Sequence, residues 1–547
     1  MKKRLLAGVL AGILMLSCAG CTSSSGTGTS GGSSNSSGSS STASGDTASG
    51  GAASDTGAAE SAAASADVSG TSVSGSASGR DTLHVAITTD PEGLDPQKTS
   101  ATSTFFVTMN VFEPLIIMDE NWEYQPRLAE SWEVADDCKS VTFHLKKGVK
   151  FHNGREMTAQ DVKYSIERLH EDDSSKKKYY KNITGAEIVD DYTITFTTDE
   201  PDAVLLTSFA YPWSVIIPEE AAADLKTNPV GTGAYKFESW IPQQELKLTA
   251  YDEYHDTPAS IKNIDYKIVP DLTTAMVGIL SGDVDLVDVT GASTTPIENN
   301  DSVSLFVKPV NSVTSLCLNL DNEYLSNELV REAMACAIDK DVIIRNCSFG
   351  YGDKIGSYLP SAAAEYIDTN DVHPYDVEHA KELLAQAGYA DGITLKLTLP
   401  KSYTIYANIG QMIADQLGKI GITCEIEMVE WADWMQNVYT DKKYDMTVMA
   451  NSGRLSAYDF IARFKSDSGD YISCKTGECD EILTALETEL DADRRTELIQ
   501  DFQKLVAEKV PVIPIETQYR IYAMNSALKG FTMYPSETTE FKILSFE

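Results

Sequence analysis

Positive charge is scarce in this sequence. Lys and Arg number 44 against 81 Asp and Glu, which leaves a formal net charge of −37. A nucleic-acid binder needs a basic footprint, and broad docking on anionic lipid needs basic clusters, so the charge balance argues against both classes. Long hydrophobic runs are missing as well. Nowhere do about 18 apolar residues follow one another, so no segment reads as a permanent bilayer-spanning helix. Histidine is sparse, with 7 in 547 residues, and the seven show no close metal-ligand spacing. His144 and His152 are read as structural, and no metal or other cofactor is expected. HExxH and GxxxxGK[ST] do not occur, so the zincin and P-loop readings lack their signatures. Carboxylates are too numerous for a catalytic pair to be singled out, and no catalytic residue is assigned. What is present is ordinary globular composition, 42% hydrophobic and 23% charged, with length for two to four domains.

The amino terminus reads as an address. Lys2, Lys3 and Arg4 precede an apolar run, Leu5 to Leu16, too short to span a membrane but suited to an export signal. The run ends at Ser17-Cys18-Ala19-Gly20-Cys21. Small residues before a cysteine resemble the lipobox of bacterial lipoproteins. The resemblance implies Cys21 as the lipid-bearing residue, with Cys18 as the alternative. Residues 22–80 contain no Leu, Ile, Met, Phe, Tyr or Trp, so they cannot bury a core. They are expected to form a Ser/Gly/Ala/Thr-rich tether with a reach of roughly 40–45 Å. Its GxGxxG, Gly26 to Gly31, has no strand before it and no helix after it, and is set aside.

Residues 81–547 read as α/β. Leu83 to Ile87 alternates as a first strand. Thr158 to Asp161 forms a capping box ahead of the helical stripe Val162, Ile166 and Leu169, and Tyr192 to Thr197 is a further strand. Asp376 caps a helix with the stripe Val377, Ala380, Leu383, Leu384 and Ala387, stopped by Gly388. The strand Ile393, Leu395, Leu397, Leu399 follows. A second helix carries Ile409, Met412, Ile413, Leu417 and Ile420, ended by Gly421. Ile422, Cys424, Ile426 and Met428 alternate as another strand. A short helix from Trp431 to Thr440 leads to the strand Tyr444–Ala450. This β-α-β-α-β order implies a parallel sheet with right-handed crossovers.

Ligands bind beyond the carboxyl ends of such strands. The polar segment Asn451-Ser452-Gly453-Arg454, continuing to Asp459, is therefore the leading site candidate, with Trp431 and Trp434 beside it. Cys336 and Cys424 are expected to be buried thiols. Cys474 and Cys479 are candidates for a local disulfide, since an exported location permits one.

Several blocks of sequence carry a resemblance. They include Asp90-Pro91-Glu92-Gly93-Leu94-Asp95-Pro96, Asn110-Val111-Phe112-Glu113-Pro114-Leu115, and Pro126-Arg127-Leu128-Ala129-Glu130-Ser131-Trp132. Thr142 to Gly154, Pro229-Val230-Gly231-Thr232-Gly233-Ala234-Tyr235, Ala337-Ile338-Asp339 and Val510-Pro511-Val512-Ile513-Pro514 continue in order. Together they make residues 81–547 resemble the family-5 extracellular solute-binding proteins of ABC importers, the peptide and nickel group. Gly231 and Gly233 are read as supporting a tight turn before the strand at Tyr235.

The resemblance implies a two-lobed periplasmic-binding-protein-like α/β fold (type II, cluster C) with an extra inserted subdomain. Lobe I would comprise 81–117, 216–310 and 515–547. The insertion would be 118–215 and lobe II 311–514. It also implies a monomeric, non-enzymatic receptor, lipid-anchored at the extracellular face of a bacterial cell membrane. Such a receptor captures a short peptide between hinged lobes and delivers it to ABC permease subunits. A nickel or other metal chelate, or a modified amino acid, is the alternative cargo; a secreted hydrolase is the rival of another class. Peptide-binding members often place an acid after the strand corresponding to Tyr444–Ala450, where it pairs with a ligand amino terminus. Here Arg454 stands near that position, which would favour an anionic group. Asn451, Ser452 and Gly453 would add neutral hydrogen bonds, and Asp459 is a displaced acid. Ser103 and Thr104, near an expected helix start, are placed on the opposite side of the cleft, where a helix amino terminus would favour an anion.

Overall fold

One strand joins the two halves of the molecule. The computed structural model describes residues 79–547 apart from 172, 173, 175 and 299. Cys18, Cys21 and the expected tether up to residue 78 lie outside the described residues. The strand Val512–Asn525 is 14 residues long. Its first half pairs antiparallel with Ser312–Leu318 and Gly352–Lys354. Its second half pairs with Val303–Pro309 and Leu286–Val289. The changeover falls between Gln518 and Tyr519, inside the strand and past the expected boundary at 514/515. A second crossing, Val310 and Asn311, links Val303–Pro309 to Ser312–Leu318. Two such crossings are the covalent geometry of a hinge.

In the first lobe, Thr82–Ile87 lies between parallel partners Asn263–Ile268 and Leu286–Val289. Its cores are built from residues such as Leu83, Val85, Tyr235 and Tyr266 on one sheet face and Ala275, Ile279 and Val287 on the other. In the second lobe, Ile393–Pro400 pairs parallel with both Ile422–Val429 and Met446–Ser452. The sequence-expected β-α-β-α-β unit is therefore present. Asp376 accepts from the backbone N–H of Glu378 and His379. Gly388 and Gly421, at φ 92° and 94°, end the two helices where only glycine enters that region cheaply. The strand Ile422–Val429 lies at the end of the sheet. Its inner face is consequently incompletely covered: Met428 is 38% exposed. Cys424 is half-buried for the same reason, contrary to expectation, whereas Cys336 is buried. The expected short helix after it is α-helical over Trp431–Trp434 and π-helical over Met435–Thr440.

A separate four-stranded antiparallel sheet, in the order Ala129–Val134, Ser140–Leu145, Thr193–Thr198, Ile183–Asp190, forms the insertion. The helix Ala159–Leu169 carries the expected capping box, Thr158 N–H donating to the Asp161 carboxylate at 2.9 Å. Phe209 meets Phe143 and Phe196 with ring centroids 4.8 Å apart in each case. Gly231 and Gly233 differ from expectation. Neither has a positive φ. A Cβ at Gly231 would stand 2.2 Å from the Val111 carbonyl oxygen, and one at Gly233 2.6 Å from that of Asn110. Close approach of two backbones, not turn geometry, demands glycine here.

Glu113 sits at the centre of a buried polar knot. Its carboxylate accepts from His255 Nε2 at 2.8 Å, the Tyr254 hydroxyl at 2.7 Å and Thr232 Oγ1 at 3.0 Å. Burial alone pushes its pKa up, but the bond to His255, the charge of His255 and that of Arg127 hold it down, at about 2. A depressed folded pKa contributes stability above the ordinary value of 4.5, lost as pH falls toward 2. The shift corresponds to ~3 kcal/mol. Urea melts across this range should show Glu113→Gln less stable at neutral pH and with a shallower acid slope. An unchanged slope would contradict the assignment.

Candidate functional site

The carboxyl ends of Thr82–Ile87 and Leu286–Val289 open onto a cavity of about 440 Å³. Thr88 and Thr89 continue from the first strand. Ser103 and Phe106 come from the helix Thr102–Thr108. Arg520 and Tyr522 come from the long shared strand, just past its changeover, and Tyr403 closes the wall from the second lobe. Phe106 stacks on Tyr522 with centroids 6.1 Å apart at 8°. Tyr403 is braced edge-on by Trp431 at 5.3 Å, and Trp431 is stacked on Trp434.

One end of this cavity is a charged triad. Arg520 donates to Asp288 at 2.9 Å and to Glu537 at 2.8 Å. Burial would lower the guanidinium pKa, but the two carboxylates more than offset it. Burial pushes Asp288 up despite Arg520. Glu537 Oε1 is buried without a hydrogen-bond partner among the described residues. Two acids on one guanidinium leave this end suited to a hydrogen-bond donor.

The second group lies where the insertion meets the second lobe. Asn311, at the hinge crossing, donates to the Arg454 carbonyl and to that of Pro535. Its own carbonyl accepts from Gly453 N–H at 3.1 Å. Gly453, at φ 69°, turns the chain out of Met446–Ser452. Arg454 then places its guanidinium 5.2 Å from the Tyr179 ring centroid and donates to the Tyr179 hydroxyl. Its Nε is buried and unpartnered among the described residues. Tyr179, Tyr211 and Trp213 form an aromatic wall, Tyr211 stacking on Trp213 at 4.4 Å. Asp459 accepts from the Tyr211 hydroxyl at 2.7 Å, and burial raises its pKa.

Lys176 completes this group. It is 6% exposed. Its Nζ donates to Ser100 Oγ at 2.9 Å and lies 4.4 Å over the Trp213 ring. Burial, with Arg454 and Lys178 adding repulsion, depresses its pKa to about 8. A desolvated cation–π contact is worth about 2 kcal/mol. Burying an ammonium costs several kcal/mol even after relaxation. The ring therefore does not offset the burial, and the site is short of negative charge.

The sequence-expected residues divide. Ser103 lines the cavity. Thr104 does not: its hydroxyl is buried and donates to the Gly93 carbonyl at 2.9 Å. Trp431 stands behind Tyr403 and is 37% exposed. Arg454 meets the insertion at Tyr179 with Gly453 turning the chain before it, whereas Asn451 and Ser452 sit in the strand opposite Val313 and Ser312, Asn451 Nδ2 being buried and unpartnered among the described residues. Asp459 faces Tyr211 and lines a groove on another side of the insertion. Cys474 and Cys479 are joined, with Cα atoms 6.2 Å apart. His152 is held between Gly231 N–H and the Gly233 carbonyl, and burial depresses its pKa to about 4. Asp288, Arg520, Glu537, Tyr403, Lys176 and Trp213 were not legible from sequence. Lys176 sits in a run of three lysines, which reads as a solvated face.

The model for bacterial extracellular solute-binding proteins, family 5 (middle), matches residues 123–471. The dipeptide-binding protein of Escherichia coli K12 is 25% identical over 498 residues, covering 84% of this chain and 93% of that protein. Heme-binding protein A of Haemophilus influenzae is 28% identical over 464 residues, covering 76% and 82%. The periplasmic binding protein AgaA of A. tumefaciens R10, solved with agropinic acid, superimposes with a TM-score of 0.71 at 27% identity, over 85% of this chain and 99% of that one. Its architecture and the strand order above agree on a two-lobed α/β fold of type II. The chain belongs to the bacterial extracellular solute-binding proteins of family 5.

Proposed function

We propose that this chain is the solute receptor of an ABC importer, capturing a short peptide or related small solute between its lobes and handing it unchanged to the permease. One observation carries this reading: a cavity walled by both lobes, which are joined by two crossings. A solute that touches both walls binds the closed arrangement better and shifts the population toward it. Di- to pentapeptides should be screened by thermal unfolding. Saturating peptide stabilises by about 2.7 kcal/mol at a hundredfold excess over Kd, a rise of a few degrees in Tm. No rise with any peptide would contradict the peptide cargo. A modified amino acid is the second reading, favoured by Arg454 where peptide receptors often carry an acid and by the agropinic acid of AgaA. Mass analysis of solute retained by the purified protein separates the two.

Anchoring belongs to the same proposal. Cys21 would carry the lipid and hold the receptor at the outer face of the membrane, monomeric, within the tether's reach of its permease. Metabolic labelling with an alkynyl fatty acid should mark the wild type and Cys18→Ser but not Cys21→Ser. The reverse pattern would assign Cys18.

A further inference from the structure

Resting on the receptor reading, we infer that the solute carries an oxyanion, a carboxylate or phosphate, seated between Lys176 and Arg454. One buried and one half-buried cation stand on different parts of the molecule. Lys176 belongs to the insertion and Arg454 to the second lobe, and neither has a carboxylate within ion-pair distance among the described residues. Lys176 is more than nine-tenths buried, with Ser100 Oγ and the Trp213 ring as its neighbours. Arg454 has a buried Nε with no acceptor. The charge of Arg454 adds to the burial that depresses the Lys176 pKa. Asp459, the nearest acid on the Arg454 loop, is committed to the Tyr211 hydroxyl. An oxyanion between them would relieve the repulsion, accept from the free Nε and from Nζ, and tie the insertion to the second lobe. Ser100, which accepts from Lys176, precedes Ala101 in the cavity wall, so the Lys176 side of the group lies next to the space between the lobes.

This polarity is the reverse of an acid that holds a peptide amino terminus. In the cavity between the lobes, Asp288 and Glu537 outnumber Arg520 and offer acceptors. A solute with its anionic group toward the insertion and donors toward the shared strand would match both groups.

The test uses defined probes on the mature full-length chain: N-acetyl-trialanine, trialaninamide, succinate and inorganic phosphate, by calorimetry and thermal unfolding. At least one anionic probe should bind. Its affinity should fall about tenfold to a hundredfold in Lys176→Gln and in Arg454→Gln, with urea midpoints showing both variants folded. Lys176→Met, which removes an unpaired buried charge and keeps the volume, should raise the Tm of the solute-free protein and abolish the response to the anion. Succinate binding without phosphate binding identifies a carboxylate; the converse identifies a phosphate. Preference for trialaninamide over N-acetyl-trialanine overturns the oxyanion and leaves the receptor standing. Anionic probes that all fail at millimolar concentration, or bind both Gln variants unchanged, also overturn it. Succinate or phosphate bound while every peptide fails sinks the peptide cargo and sustains the oxyanion.

Discussion

Arg127→Met is expected to cost the folded protein about 3–5 kcal/mol, because it strands a buried carboxylate. Arg127 and Glu540 meet at 2.8 Å with both side chains 8% exposed. They are 413 residues apart in sequence, so the pair ties the entry of the insertion to the carboxyl-terminal segment. With the guanidinium gone, Glu540 keeps the Tyr534 hydroxyl at 3.3 Å as its close donor. Glu113 also loses a favourable charge. Urea unfolding should show a lower midpoint with an unchanged slope. Arg127→Met with Glu540→Leu should recover most of the loss, since an apolar pair of similar volume carries no desolvation penalty. A single-variant loss within about 1 kcal/mol, the usual ceiling for surface pairs, would show that the pair is solvated.

Filling the space between the lobes should abolish binding while sparing the fold. Ser103 is half-buried and lines the cavity of about 440 Å³. Its helix, Thr102–Thr108, is anchored from the other side by Thr104 and Phe105. Ser103→Trp places an indole in the volume a solute would occupy, with room to spare in the empty state. Affinity for whatever solute the wild type retains should fall by on the order of 100-fold, the scale of a central contact converted to a clash. The urea midpoint should stay near that of the wild type. Retained binding would move the solute to another part of the molecule, such as the groove beside Asp459.

The second lobe was readable because it is locally periodic. Between Asp376 and Ala450 each element carries its own cap, stripe or alternation, and parallel pairing follows from chain order. The insertion's capping box was legible for the same reason. The long strand Val512–Asn525 was not, because it changes partners halfway and no single burial pattern runs its length. The cavity was legible at Ser103 and missed at Asp288, Arg520, Glu537 and Tyr403. Those residues converge from four distant segments and carry no shared motif. Arg454 was visible as a departure from the family's acid. Lys176 was hidden, because its burial comes from Phe105 and Trp213, which sequence spacing does not bring to it. Gly231 and Gly233 show the same limit: the residue type was legible, but its reason lay in Asn110 and Val111 over a hundred residues away.

Capture between two hinged lobes is tested most directly by small-angle scattering from the mature full-length chain, first stripped of retained solute by mild denaturation and refolding, then saturated with the solute recovered from it. The radius of gyration should fall on saturation, the Ser103→Trp protein should show no fall, and the solute should be recovered with unchanged mass. Identical scattering curves with solute demonstrably bound, or recovery of a cleaved product, would contradict the account.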